Sequence, residues 1–274
     1  MSLDAVGRES YLSVKERLDS FAAGADADRV VAVADQMLAV ARLLGREPRL
    51  RRALVDPSRA ADARVDLLRG LLTGKVDDEA LDLLTGLVGG RWAVPNELRE
   101  ATERLGVEAL LAGAERAGDL PDVEDELFRF AHIVGGDREL AATLGDSTAG
   151  VDRRAGLVRD LLDGKATPVT VRLAELAVGG FGGRGLEASL GRLVELAAER
   201  RDRTVAYVVT AIEPTEEEQR RLSGALARMY GRQVSLKIEV KPEIIGGVSV
   251  RVGSDLYDGT VLRRLTEARQ ALSK

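Results

Sequence analysis

Residues 241–259 read KPEIIGGVSVRVGSDLYDG, and the fold class follows from them. From Pro242 the chain turns through Gly246-Gly247, after which Val248, Val250 and Val252 alternate with Ser249 and Arg251. That period of two predicts a half-buried strand, ended by Gly253. Asp258-Gly259 is a turn signal, and Val261, Leu262, Leu265 and Ala268 return at helical spacing. Immediately upstream, VSLKIEV (234–240) places Val234, Leu236, Ile238 and Val240 on one side, the face expected to meet the three valines. TVAYVVTAI (204–212) is apolar on both faces, as a central strand is. Between them Thr215 and Glu218 form a capping box that opens a helix to about Tyr230. Residues 203–274 therefore read as a small α+β domain.

Before Arg203 the period is helical. Helices are predicted at 10–21, 27–44, 59–72, 77–88 and 96–117, with a Pro-marked segment near Asp56-Pro57. Leu12, Val14 and Leu18 suggest the apolar face of the first, and Val30, Val33, Met37, Val40 and Leu44 that of the second. The pattern then restarts at an offset of 90 residues. Between 45–90 and 135–180, sixteen of forty-six positions are identical without a gap, among them Asp56/Asp146, Arg64/Arg154, Gly74/Gly164, Lys75/Lys165 and Gly90/Gly180. Average residue usage predicts roughly three or four. The fold class is thus mainly α: a helical bundle enlarged by an internal duplication, followed by the α+β domain. The expected divisions are 1–117, a duplicated module at 118–202, and 203–274, the helix at 96–117 closing the first module and opening the second.

Composition narrows function. With 3% aromatics the core must be Leu, Val and Ala, which suits packed helices, and a formal charge of −5 with so few stacking rings argues against nucleic acid. No cysteine is present, which excludes disulfides and thiol chemistry. MSLDAVGRESY has acidic and polar residues where a signal peptide has an apolar run. Val30 to Gly45, the most apolar run, is broken by Asp35 and Arg42 and too short to span a bilayer, so no direct membrane insertion is expected.

No residues converge as nucleophile, base and orienter. Gly180-Phe-Gly182-Gly183-Arg-Gly185 spells G-x-G-x-x-G but follows a predicted helix, whereas the dinucleotide fingerprint follows a strand; its counterpart, Gly89-Gly90-Arg91-Trp92, reads as an interhelical loop. Gly74-Lys75 and Gly164-Lys165 read as helix C-terminal signals. The single histidine, His132, rules out a multi-histidine metal site and corresponds to Arg42, a solvated position. Asp122, Glu124, Asp125 and Glu126, like Glu216 to Glu218, lie in first helical turns, where the dipole favours carboxylates. Trp92 reads as a packing anchor. No catalytic residue, cofactor or metal is expected.

The tail also carries a resemblance. Ile244-Ile245-Gly246-Gly247-Val248-x-Val250-Arg251-Val252-Gly253, then Asp258-Gly259-Thr260-Val261 and Leu262 to Leu265, resembles the C-terminal signature of the delta subunit of F-type ATP synthases, the family of the mitochondrial oligomycin-sensitivity-conferring protein. AIEPTEEEQRRL (211–222) and Tyr230 to Val234 are similar to that family too, and Arg8-Glu-Ser-Tyr11 is a loose version of its opening Arg-x-Tyr-Ala. Family members are shorter by about one repeat, and enlarged delta subunits occur in actinobacteria. The resemblance implies a non-catalytic peripheral-stalk subunit for ATP synthesis and hydrogen ion transport, one copy per complex, at the cytoplasmic face of the plasma membrane. Implied partners are the N-terminal helix of an alpha subunit and the C-terminal helices of the b subunits. Tyr11, Leu12, Lys15 and Leu18, with Leu84 and Leu87, are the expected alpha-facing groove. Gly246, Gly247, Val248, Gly253, Asp258, Gly259, Leu262 and Leu265 are expected to be structural. The alternative is a helical-repeat adaptor with another client.

Overall fold

The structure is a computed structural model and describes residues 5–203, 205–230, 234–241, 246–252 and 255–259. The chain divides into two compact units, Met1–Ala197 and Ala198–Lys274.

In the first unit, α1 (Ala5–Gly24) buries Tyr11, Val14, Leu18 and Ala22, with Lys15 on the same strip. Leu12 does not belong to it: two residues apart on a helix is about 200° of rotation, so Leu12 points away from Val14 and is 48% exposed. Asp26 caps α2 (Ala27–Arg46) by accepting from the Arg29 amide at 2.8 Å, and Val30, Val33, Met37, Val40 and Leu44 are buried as their spacing predicts. The Pro-marked segment holds a further helix, α3 (Pro48–Val55), whose Pro48 stands in the first turn. Eight residues with three arginines show too little apolar period to be read. Then follow α4 (Ala61–Leu72), α5 (Asp78–Gly89) and α6 (Pro95–Ala117).

Helix α6 is the axis of the unit. From Leu98 to Ala114 it is buried everywhere except at Arg99, Glu100 and Arg104, which are partly exposed. Helix α2 packs closely along it because Gly106 and Gly113 leave room: a Cβ on Gly106 would meet Leu38 Cδ2 at 2.8 Å, and one on Gly113 would meet Val31 Cγ2 at 2.6 Å.

The remaining helices are α7 (Leu120–Gly136), α8 (Arg138–Gly145), α9 (Val151–Leu162), α10 (Pro168–Val178) and α11 (Leu186–Arg203). Their bounds recur at the sequence offset: α3 and α8 begin at 48 and 138, and α4 and α9 run 61–72 and 151–162. Polar contacts recur with them. Asp56 accepts from the amide and hydroxyl of Ser58 at 2.9 and 2.7 Å, and Asp146 from those of Thr148 at 2.8 and 2.7 Å. Gln36 and Asp77 clasp α2 to the start of α5, the Gln36 amide donating at 2.8 Å and the Asp77 backbone amide donating back at 2.7 Å. Ninety residues on, Glu126 accepts from the amide and hydroxyl of Thr167 at 2.9 and 3.0 Å. One continuous apolar core runs from Tyr11 to Ala197.

In the second unit β1 (Val205–Thr210) lies between β2 (Ser235–Val240), which is parallel to it, and β3 (Val248–Val252), which is antiparallel. Helix α12 (Glu216–Tyr230) makes the crossover that a parallel pair needs. Its capping box is formed: Glu218 accepts from the Thr215 amide at 2.8 Å, and the Glu218 amide donates to the Thr215 hydroxyl at 3.3 Å. Gly246 and Gly247, at φ of 126° and 89°, turn the chain into β3 through conformations that side chains disfavour.

Three expectations change. The valines of β3 pair with β1, not β2, although Val248, Val250 and Val252 share one apolar cluster with Leu236 and Ile238. Val240, expected on the buried side, ends its strand exposed. A fourth strand, β4 (Asp255–Asp258), occupies the residues just before the Asp258-Gly259 turn signal and pairs with β3, giving the order β2-β1-β3-β4. Four residues with an aspartate at each end carry no alternation to read. Gly253, Leu262, Leu265 and the helix expected after Gly259 lie outside the described residues.

Candidate partner-binding surfaces

The residues expected to form the alpha-facing groove come together, but mostly as core. Tyr11, Lys15 and Leu18 of α1 and Leu84 and Leu87 of α5 are all buried; Leu12 alone reaches the surface. The seam between α1 and α5 is closed by shape and charge. A Cβ on Gly86 would meet Arg17 Nη1 at 2.7 Å and Val14 Cγ2 at 3.0 Å, and Arg17 pairs with Asp82. Behind the seam the Lys15 ammonium donates to Glu108 Oε2 of α6 at 2.7 Å, with Asp19 3.6 Å away. Arg104 stands 3.9 Å from the other Glu108 oxygen and lies over the Tyr11 ring, 5.1 Å from its centre. A buried pair of this kind fixes how two helices meet, because only one arrangement satisfies both charges.

The glycine-rich stretch lies between helices, as its context predicts. Gly180 is left-handed, Phe181–Gly183 forms a single 3-10 turn with Phe181 buried, and α11 begins at Leu186. The Gly182 amide, which a nucleotide loop would aim at a phosphate, donates instead to Glu103 Oε2 of α6 at 2.9 Å. Burial pushes the Glu103 carboxyl above the usual range, opposed by that hydrogen bond and by Arg99. The loop's anion partner is thus an internal side chain. Sequence reasoning passed over Glu103, Glu108 and Lys15 as a connected set, for nothing in α6 distinguishes its inward carboxylates from its outward ones.

The other candidates resolve into structure. His132 and Arg42 are both exposed. Trp92 is buried and its indole N–H donates to the Leu87 carbonyl at 2.8 Å. Gly74 and Gly164, at φ of 74° and 63°, end α4 and α9. Arg154 is buried and donates to the Leu144 and Val178 carbonyls at 2.9 Å each, joining the C-terminal ends of α8 and α10. Between α8 and α9 lies a cleft of about 1040 Å³ lined in part by Ala141, Ala142 and Ala149; ninety positions earlier stand Arg51, Arg52 and Arg59. Among the described residues no group of three His, Cys, Asp or Glu side chains could hold a metal ion, and no helix is long and apolar enough to cross a membrane.

The second unit carries its own exposed apolar surface: Ile212 is 77% exposed, and Met229, Leu256 and Tyr257 are also open to solvent. Of its expected structural residues, Gly246, Gly247 and Val248 open β3, Asp258 ends β4, and the Gly259 amide donates to the Val248 carbonyl at 2.9 Å. The Tyr230 hydroxyl donates to Asp255 Oδ2 at 2.9 Å and lies 3.0 Å from the Tyr257 hydroxyl, tying α12 to β4. Burial, then the hydrogen bonds to Tyr257 and Asp255, hold this phenol well above its ordinary range.

The family model described as ATP synthase delta (OSCP) subunit matches residues 107–272. ATP synthase subunit delta of Salinispora arenicola is 59% identical over 270 residues, 98% of each chain. That of Streptomyces griseus is 43% identical over 99% of this chain and all of its own. A chain in the cryo-EM structure of the Toxoplasma gondii mitochondrial ATP synthase hexamer is similar at 20% identity and a TM-score of 0.35, over 61% of this chain and 95% of that one. With relatives matching from end to end, the adaptor alternative is set aside: the chain belongs to the ATP synthase delta (OSCP) subunit family, non-catalytic peripheral-stalk components of F-type ATP synthases.

Proposed function

We propose that this subunit links the N-terminal helix of an alpha subunit to the C-terminal helices of the b subunits, as one copy per complex at the cytoplasmic face of the plasma membrane. The catalytic head is thereby kept from turning with the rotor, and proton-driven rotation is coupled to ATP synthesis. The observation that carries the reading is the pair of separately packed units, each with exposed apolar side chains that suit amphipathic helices. The alpha helix is assigned to the α1–α5 seam, with Leu12 as the side chain it covers and Tyr11, Lys15, Leu18, Leu84 and Leu87 as the wall behind. The b helices are assigned to the sheet unit around Ile212 and Leu256.

The excess length is assigned to an internal duplication, with modules at 1–117 and 118–202 ahead of the unit at 203–274. Recurring helix bounds, the Asp56 and Asp146 turns, and the two α2–α5 and α7–α10 clasps support it. In the second clasp Gln36 has become Glu126 and Asp77 has become Thr167. Both partners change while the contact stays.

The test is calorimetric binding of the full chain to a synthetic alpha N-terminal peptide and to a soluble b fragment. Leu12→Asp is expected to weaken the first at least ten-fold and leave the second unchanged, and removal of residues 241–274 the reverse, with helical circular dichroism largely retained. No binding of the peptide by the intact chain refutes the alpha link; unchanged b binding after the truncation refutes the other.

A further inference from the structure

Helices α2 and α7 hold corresponding places ninety residues apart, yet their outer faces meet different surroundings. On α2, Val31 and Leu38 receive Gly113 and Gly106 of α6, and Leu38 is buried. One turn from Leu38, Asp35 accepts Arg172 of α10 at 3.1 and 3.2 Å. A helix from the rest of the chain thus covers Leu38, and a cation pairs with Asp35 at the edge of that face, where the Asp35 side chain stays 45% exposed. On α7 the corresponding residues are Pro121, Phe128 and Asp125. Phe128 is 60% exposed, and Asp125, also exposed, pairs along its own helix with Arg129.

The sequence explains the difference. Helix α11 is the counterpart of α6, but Leu196 stands where α6 has Gly106, so the notch that admits Leu38 is not repeated. Nor does a third module follow to supply a counterpart of Arg172, for the chain passes from α11 to β1. The last unit of an array keeps open the face that its predecessor gives to the next.

The geometry points to Phe128 and Asp125 of α7 as the seat of a basic amphipathic helix from another subunit of the complex, lying across α7 as α6 lies across α2. The inference rests on the duplication and the stalk role proposed above. Its occupant is a helix because the corresponding face takes one within this chain. It presents small residues to Phe128, as Gly106 and Gly113 do to α2, and an arginine or lysine to Asp125, as Arg172 does to Asp35. Exposed Asp122, one turn before Asp125, adds negative charge beside it and favours a cationic partner. A second copy of this chain pairing α7 with α7 would bring the same carboxylates to the same place and be repelled.

Because the chain has no cysteine, Phe128→Cys gives a single thiol whose maleimide labelling can be timed in the free chain and in purified ATP synthase carrying the variant. At least ten-fold slower labelling in the complex is expected, and Leu38→Cys is expected to label slowly in both. Adding Asp125→Lys should speed labelling of Phe128→Cys in the complex, and p-benzoylphenylalanine at position 128 should cross-link to a helical, lysine- or arginine-bearing segment of another subunit. Labelling at the free-chain rate in an assembled complex overturns the inference, as do an unchanged rate with Asp125→Lys and a cross-link to an acidic segment or to a second copy. Failure of the wild-type chain to assemble overturns the stalk role instead. Fast labelling of Leu38→Cys in the free chain overturns the α2–α6 packing on which the comparison depends.

Discussion

Replacing Glu108 by Met tests the buried contact between α1 and α6. Lys15 and Glu108 are 2.7 Å apart with side chains 6% and 2% exposed, so at an effective dielectric of about 20 their attraction is on the order of 6 kcal/mol. Desolvating each ion costs several kcal/mol, which leaves the intact pair near balance. Taking away one partner removes the attraction and keeps the other's penalty. Glu108→Met therefore leaves Lys15 buried beside Arg104, with the half-exposed Asp19 3.6 Å away, and the expected loss is about 3–5 kcal/mol. At about 2–4 °C per kcal/mol for a unit of this size, Tm falls by roughly 6–20 °C. Lys15→Met combined with Glu108→Met replaces both charges by apolar chains of similar length and should regain most of that loss. Thermal unfolding followed by far-ultraviolet circular dichroism, with urea titration for the free energies, measures the cycle. A single variant that loses less than about 1 kcal/mol, or a double variant no more stable than the single, refutes the idea that an uncompensated charge is what costs stability.

Glu103→Gln keeps an acceptor for the Gly182 amide and removes a charge held against burial. Because the folded-state pKa is raised, the native state binds the extra proton and stability falls as pH rises from the ordinary glutamate value, about 4.3, through the raised one. The variant should lose that slope and be at least as stable as wild type at pH 7, as urea titrations at several pH values would show. Gly113→Ala gains about 1 kcal/mol of helix propensity but must displace Val31, whose branched side chain cannot swing clear. With overpacking at about 1–3 kcal/mol, the net should be a loss of up to about 2 kcal/mol, and a rise in Tm would contradict the packing. Thr215→Ala removes the cap of α12 and should cost about 1 kcal/mol in the second unit, seen as earlier unfolding of its tyrosine signal.

What could be read from the sequence follows from which physical signals are local. Alternation identified β2 and β3 because each has a buried side to mark, and β1 was legible as a short run apolar on both faces. Strand β4 lacked the signal: Asp255, Leu256 and Tyr257 all lie exposed on an edge, and its partner is fixed by proximity to β3 rather than by pattern. The capping box at Thr215 and Glu218 was legible because both halves of the contact lie within one turn. Helices α3 and α8 were not, since eight residues offer little more than two turns of periodicity. Leu12 misled for a related reason: hydrophobic identity was taken for facing, though its spacing from Val14 already excluded a common face.

Helix α6 marks the deeper limit. Its sequence, PNELREATERLGVEALLAGAERA, carries charges throughout and resembles a helix with one wet side. It is buried almost all round because elements pack on it from more than one side, α1 and α2 on the one hand and the Gly180–Gly185 turn on the other. Each of its inward carboxylates then needs a partner, and each has one on a different element: Glu108 holds Lys15 of α1, and Glu103 holds the Gly182 amide. The repeat offset led only to the expectation that this helix closes one module and opens the next. Periodicity could not convert that into burial, since an amphipathic pattern describes one face and α6 serves two. Two buried polar contacts of this kind fix α6 against both α1 and the Gly180–Gly185 turn, because a shift of either would leave a buried group without its partner.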